Sequence, residues 1–357
     1  MKGKIRLTKR DDFSAKQEAI VMAIAIALSI VAAGLILIIF GLNPIEVFGA
    51  LIDGALGTST RIASTLTKAI PLIITSLGII VAFKMKFWNI GAEGQITMGA
   101  FGAMGIALYM PDGTPKFVAL LLMFIAAVVC GGIWALIPAI FKAKWGINET
   151  IFTLMMNYIA IKFILYMQSG PWKDPSFNGF PRIATIADNF KLPTSFGVNI
   201  GWIFALIAAG FVFFLINYTK IGYEISVIGD SVDTARYAGM NIGKVIIISM
   251  LISGGLCGVT GMVQVSGVEY TLVSTIAGGC GFTAIITAWL SKLKPAVCVA
   301  VCFAFAVLVQ GGDFIQISLG VSSAVSDLVQ GLVLFFVLGS EFFIRYQVHF
   351  GQEKEVA

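Results

Sequence analysis

Charge is what this sequence has least of. Only 12% of its 357 residues are Asp, Glu, Lys or Arg, against 58% hydrophobic. Soluble domains carry about 25% charged residues, and a folded chain of this size still exposes much of its residue set. An ordinary water-facing surface is therefore excluded, and lipid must be the solvent. Histidine is nearly absent too. The single one, His349, lies in the C-terminal tail, which excludes histidine catalysis. Cysteine is sparse and unaccompanied: Cys130, Cys257, Cys280, Cys298 and Cys302 all fall inside apolar runs. Cys298 and Cys302 share a helix face, yet no His, Asp or Glu stands near to complete a metal site, so they read as small packing residues. A G-x-x-x-x-G-K-[ST] loop is missing, since Gly243-Lys244 is followed by valine, and the chain does not bind ATP by that route.

What is present is apolar sequence in helix-sized lengths. A polar segment, residues 1–18 with Lys2, Lys4, Arg6, Lys9, Arg10 and Lys16, precedes an unbroken apolar run from about Ala19 to Phe40. That run suits a span of ~20 residues and exceeds the core of a signal peptide, so it reads as an uncleaved first span. Further spans are expected near 62–83, 90–110, 117–141, 150–168, 200–217, 245–265, 276–290, 295–310 and 323–343. The third and eighth of these ten are glycine-rich and only moderately apolar. With the N-terminus inside, 17 Lys or Arg fall on cytoplasmic segments and six on outer ones, the asymmetry of a chain with both termini cytoplasmic. Lys162 is the exception inside a span, where it can snorkel if near the end. The net charge of +5 is dispersed in short clusters between apolar runs, not gathered on one stripe, which argues against a nucleic-acid partner. The fold class is an all-α, multi-pass membrane protein: a permease domain over 19–345 and a cytoplasmic tail over 346–357.

Two connections are long. Residues 170–199 carry four prolines and read as an ordered external loop able to contact a partner. Residues 218–244 lie inside, and their centre, Ser231 to Ala238, has the spacing of a short helix with Ser231 or Asp230 as N-cap and Gly239 as a stop. That one helix is the expected feature of the loop. Polar groups within spans are costly and mark function by default. They are densest in Phe87-Trp88-Asn89-Ile90-Gly91-Ala92-Glu93-Gly94-Gln95, where glycines break the helix around a carboxylate and two amides. The alternative is a hydrogen-bonded knot that glues helices together. No internal repeat is evident beyond the glycine-rich segments around Gly91 and Gly279.

The stretch FWNIGAEGQITMGAFGA resembles the N-I-G-A-E-G-Q segment of the ABC permease family that serves ribose, branched-chain amino acids and nucleosides. WGINETIFTLMMNYIA, GPWKDPSF, GGCGFTAIITAWLSKLKP and GGDFIQISLGVSSAVSDLVQGLVLFF are similar to further segments of the family in the same order. The second of these five motifs, with the GPWKDP loop, resembles its nucleoside branch. The likeness runs over roughly residues 60 to 345. It implies a path for a neutral polar solute between two permease subunits, an external substrate-binding protein, and a separate ABC ATPase that binds the ATP; no cofactor is implied for this chain, and no enzyme activity. It also implies the plasma membrane of a prokaryote.

Asn89, Glu93, Gln95, Asn148, Glu149, Asn157 and Tyr158 match the family's motifs, and whether they touch solute or brace helices is left open by the match. Asn157-Tyr158 and Phe282-Thr283 mix ring with amide or hydroxyl, as a base and a ribose require. Asp313 and Gln316, after Gly311-Gly312, are expected outside. Asp327 and Gln330, three apart on the last helix, can pair or line a cavity. The segment Gly222 to Gly239 resembles the family's ATPase-coupling region, with Tyr223, Glu224, Asp230, Asp233, Arg236, Tyr237 and Gly239 as the docking residues. A simple-sugar permease is the alternative substrate reading. An ion-coupled transporter titrating Glu93 or Asp327 is the alternative mechanism.

Overall fold

The computed structural model describes residues 5–9, 15–111, 113–177 and 179–350, so Lys2, Lys4, Arg10 and Lys354 lie outside the described residues. Strand β1 (Ile5–Lys9) precedes helices α1 (Ala15–Ile39), α2 (Pro44–Leu56), α3 (Ser59–Lys84), α4 (Ala92–Tyr109), α5 (Lys116–Trp145) and α6 (Glu149–Ser169). A small hairpin, β2 (Thr194–Ser195) and β3 (Val198–Asn199), leads into α7 (Gly201–Tyr218), α8 (Lys220–Asp230) and α9 (Val232–Tyr237). Then come α10 (Ile242–Gln264), α11 (Cys280–Leu290), α12 (Pro295–Leu319), α13 (Ser323–Arg345) and strand β4 (Tyr346–Phe350). Eight helices among the described residues are long and apolar enough to cross a membrane: α1, α3, α5, α6, α7, α10, α12 and α13. The chain is an all-α, multi-pass membrane protein.

The two expected spans with the weakest apolar signal are the two outside that set. α4 is an 18-residue helix whose face is polar at one end. The eighth span is not a continuous helix. α10 closes on a π-helical turn, Val265–Glu269, and Tyr270 takes a left-handed φ of 56°. Helix resumes only at Cys280, after Gly278 and Gly279 at φ 56° and 78°. The 11 residues of α11 rise only ~16 Å, about half the hydrocarbon thickness. Irregular backbone at such a depth is tolerated where protein or water lines it, and Leu272, Ile276 and Ala277 are buried.

The chain divides into two compact units. The first holds the described residues up to Arg61 and from Val307 on. Its core joins Ala33 and Leu37 of α1, Val47 and Leu51 of α2, Ile315 of α12, and Val325 and Val329 of α13. α2, unassigned by the hydropathy pattern, starts where Asn43 accepts the Ile45 N–H at 3.1 Å, with Pro44 preset for a first turn. Gly311-Gly312 do not end α12, contrary to expectation. A Cβ on Gly311 would sit 2.4 Å from the Leu51 carbonyl oxygen, so these glycines are contact points of a helix that continues to Leu319, and Asp313 and Gln316 lie within it. β1 and β4 pair antiparallel, Leu7 opposite Val348.

The second unit, Ile62–Ala306, is built on α4, α5 and α10, whose backbones meet through glycine. The 170–199 loop is ordered against it. Trp172 stacks on Phe101 at 4.6 Å and donates its ring N–H to the Tyr109 hydroxyl at 3.0 Å. The Ile186 and Leu192 N–H groups donate to the carbonyls of Tyr270 and Ser266. The Asp174 carboxyl is held below its ordinary range by the Ser176 hydroxyl at 2.6 Å and the Ser176 N–H, with Arg182 beside it.

Candidate functional site

The polar segment before α4 folds into a closed network. The Asn89 and Gln95 amides bond reciprocally, each donating to the other's oxygen at 3.1 Å. Asn89 also donates to the Ser253 hydroxyl of α10 at 3.2 Å and accepts the Gly91 N–H at 3.1 Å. Asn157, on α6, accepts the Gly94 N–H at 2.8 Å and donates to the Ile90 carbonyl at 2.9 Å. Beside it the Thr153 hydroxyl accepts the Ile90 N–H at 3.2 Å. Asn89, Gln95 and Asn157 are all buried, with polar atoms committed to protein partners. In this geometry they brace α4, α6 and α10, and the segment's freed backbone groups find their partners here.

Glu93 does something different. Its two carboxylate oxygens accept the N–H groups of Gly279 at 2.7 Å and Gly281 at 2.8 Å. Those are the free donors at the start of α11, where a negative group is stabilised by the helix dipole. A Cβ on Gly281 would lie 2.4 Å from the Glu93 nitrogen, so glycine is required for the carboxylate to reach. The broken eighth span is thus pinned at its break to the start of α4. Gly279, Gly281 and Thr153 fell within family-like stretches of the sequence without being singled out for this contact, and Ser253 carried no signal there.

α11 points its small residues, Gly281, Ala284 and Ala288, inward and leaves Phe282 exposed. The Thr283 hydroxyl donates to the Gly279 carbonyl at 3.2 Å. One helical face further along, Trp289 stacks on Trp88 at 5.3 Å beside Phe83. The segment from Tyr270, tied to the 170–199 loop, to Trp289, near Lys84 and Lys86, therefore runs from one face of this unit to the other. Tyr158 is exposed on α6, one position past Asn157. In the other unit, the Gln330 amide donates to the Ser326 hydroxyl at 3.2 Å and Asp327 is exposed. Gln330 therefore has Ser326, one turn back, as its partner.

The 218–244 connection holds two helices, where one was expected. Thr219 caps α8 by accepting the Gly222 N–H at 3.1 Å. Ser231, fully extended, separates α8 from the six-residue α9 and caps it through the Thr234 N–H at 3.2 Å. Gly239, at φ 73°, closes α9 as anticipated. Only Ala235 of α9 is buried; Asp233, Arg236 and Tyr237 face outward, with Tyr237 94% exposed. Arg236 and Asp233 pair at 3.6 Å, and Lys220 and Glu224 at 3.8 Å. Tyr223 and Asp230 are exposed. α8 rests directly on the end of α3: a Cβ on Gly229 would lie 2.0 Å from the Lys84 carbonyl oxygen. Behind α8 and α9 a cavity of about 480 Å³ is lined by Lys86, Asp230, Arg236 and the Lys142–Glu149 ion pair at 2.7 Å.

Residues 61–338 match the model of a family described as the permease component of branched-chain amino acid transport systems. The chain is 32% identical to the guanosine ABC transporter permease protein NupP of Bacillus subtilis, over 92% of this chain and 94% of that one. It is 31% identical to the glucose ABC transporter permease protein TsgB13 of Haloferax volcanii, over 88% and 86%. The nucleoside ABC transporter permease protein NupB of Lactococcus lactis is 30% identical, over 90% and 91%.

Proposed function

For a chain that belongs to the branched-chain amino acid transport permease family, and so is a multi-pass ABC permease subunit of the plasma membrane, we propose inward nucleoside transport powered by a separate ATPase. Two relatives matched over nine-tenths of the chain or more carry guanosine and nucleoside in their names, and that observation carries the substrate class. The glucose relative, matched at the same identity, supports simple sugars as the second reading. Both are neutral, hydroxyl-rich solutes. Glu93, already occupying the donors of α11, leaves that helix start no vacancy for an anionic one.

In this reading both termini are cytoplasmic, a second permease completes the path, and a binding protein delivers solute to the outer face. α9 is the docking element for the ATPase. It is short, capped at both ends, and presents an aromatic and an ion pair to the exterior, residue types that dominate interfaces. Closure of the ATPase pushes on α9 and α8. Gly229 passes the displacement to the end of α3 and thence to residues 85–91, Glu93 and the break before α11. The Gly229–Lys84 contact and the Glu93 bonds to Gly279 and Gly281 support this route, and the break is the place where a span can rearrange without losing helix.

Uptake of labelled guanosine and uridine in cells with and without the gene, with excess ribose and with ATP depleted in parallel, tests the proposal. Uptake that needs the chain, collapses without ATP and ignores ribose is the expected result. Competition by ribose moves the assignment to sugars, and uptake that ignores ATP but follows an ion gradient overturns it. Tyr237→Ala is expected to cut ATP-dependent uptake about 30-fold, the scale of a 2 kcal/mol interface anchor, with unchanged thermal stability of the permease. Unchanged uptake in that variant removes α9 from the docking role.

A further inference from the structure

The helices of the second unit expose two kinds of face. Those of α5 and α7 are apolar through their middles: Leu121, Ile125 and Val129 on one, Leu206, Ile207 and Phe211 on the other. Such faces suit lipid. α6 is different. Its exposed residues include Ile151, Met155, Tyr158, Lys162 and Leu165, which step by four and three, with Ile159 and Tyr166 alongside. That 3.5-residue period keeps those five turned in a single direction, and Tyr158 and Lys162 stand at its centre beside Ile159.

Lys162 stands 13 residues from the start of α6 and seven from its end, ~20 Å and ~10 Å along the axis. A charged group at that depth is excluded from lipid and turns toward water or protein. Among the described residues of α5, α6 and α7, no other Lys or Arg lies as far from a helix end. Tyr158, one turn before it, and Tyr166, one turn after, extend the polar strip along the same side.

We infer that this face of α6 lines the aqueous solute path, and that the Lys162 ammonium donates hydrogen bonds to the carbonyl and hydroxyl oxygens of the passing neutral solute. The inference rests on the importer reading for the existence of a path, and adds to it which helix face and which cation form the wall. The rings of Tyr158 and Tyr166 supply the flat surfaces beside that donor, an arrangement matched to a base bearing carbonyl oxygen and a ribose bearing hydroxyls.

The test compares thiol chemistry at single positions. Lys162→Cys and Tyr158→Cys are made in the full chain with its partners, with Ile207→Cys on α7 as the lipid-facing reference. Cells are treated with a membrane-impermeant, charged thiol reagent, and modification is read peptide by peptide so that native cysteines are scored separately. A cysteine, unlike lysine, cannot snorkel, so its reactivity reports the medium at its own depth. Positions 158 and 162 are expected to react roughly 100-fold faster than 207, the scale on which a bilayer centre penalises charge. Saturating guanosine is expected to slow both. Reaction at 162 as slow as at 207, in cells whose wild-type uptake is ATP-dependent, overturns the lining while leaving the importer intact. Fast reaction that guanosine does not slow overturns the solute contact. Wild-type uptake that ignores ATP overturns the importer reading itself, and the reactivity at 162 still decides whether this face is wet. Lys162→Arg, which keeps the donor, is expected to retain uptake that Lys162→Met loses; equal uptake by the two removes the hydrogen-bonding role.

Discussion

Glu93→Ala is expected to abolish transport. Removing the carboxylate leaves the N–H groups of Gly279 and Gly281 without their acceptors at a partly buried helix start. Each unsatisfied donor costs about 1–3 kcal/mol, and the lost charge–dipole attraction adds about 1 kcal/mol, so the pin loses roughly 3–7 kcal/mol. Even the lower figure shifts the population of a pinned α11 more than about 100-fold. Helix α11 is only 11 residues long and follows non-helical backbone, so it has little else to fix its start. Glu93→Gln preserves one acceptor oxygen but turns an NH₂ toward the second N–H, and is expected to fall between wild type and alanine. Glu93→Asp keeps the charge but is one methylene short, and with α4 and α11 already touching at Gly281 it cannot regain both bonds. Uptake rate and thermal midpoint of the purified complex are the two readouts. Wild-type uptake by Glu93→Ala would show that the carboxylate pins nothing. An ordering in which Gln equals wild type while Asp is dead would assign Glu93 a role in shape alone.

The long apolar helices were legible because period and length survive in any window of sequence. The site was legible by composition and by its likeness to the family's motifs. Asn89, Glu93, Gln95 and Asn157 stand out as polar residues within spans, but their partners do not, because Gly279 and Ser253 are more than 150 positions away from the residues they serve. Reciprocal bonding between Asn89 and Gln95 follows from geometry at a broken helix start, which spacing alone does not give. α8 escaped because its sequence, KIGYEISVIGD, combines two glycines with β-branched residues, a poor helix by propensity. Its glycines have tertiary reasons. A Cβ on Gly222 would meet the Leu215 carbonyl oxygen at 2.1 Å, and Gly229 lies against Lys84. The β1–β4 pair joins segments separated by almost the whole chain, which no local pattern announces. α9, by contrast, was readable to within a residue, because a Ser or Asp cap and a left-handed glycine are local signals.

Gly258→Ala is expected to be as damaging to assembly as Glu93→Ala is to transport, although it adds only one methyl group. Gly254, Gly258 and Gly261 lie on neighbouring turns of α10 and meet α4 and α5 backbone to backbone. A Cβ on Gly258 would sit 2.1 Å from the Ala127 carbonyl oxygen of α5, and one on Gly99 of α4 would sit 2.3 Å from the Gly258 Cα. Neither neighbour is the end of a flexible side chain, so relief requires α5 and α10 to separate along their length. In a bilayer these helices gain little from burying apolar surface, and packing and close approach hold them together. Overpacking costs about 1–3 kcal/mol where side chains can adjust and more where backbone must move, so a loss of at least ~3 kcal/mol is expected. Gly210→Ala supplies the contrast. It lies inside α7 with nothing within 4 Å of its would-be Cβ, and gains up to about 1 kcal/mol from helix propensity. Thermal unfolding of the purified complex, read with its elution profile in detergent, separates the two: Gly210→Ala melts at or above wild type, and Gly258→Ala melts well below it or fails to assemble. Equal melting would mean that α4, α5 and α10 are not held as close as their glycines allow. The Ser253–Asn89 bond, set by the same approach of α10, would then lose its support.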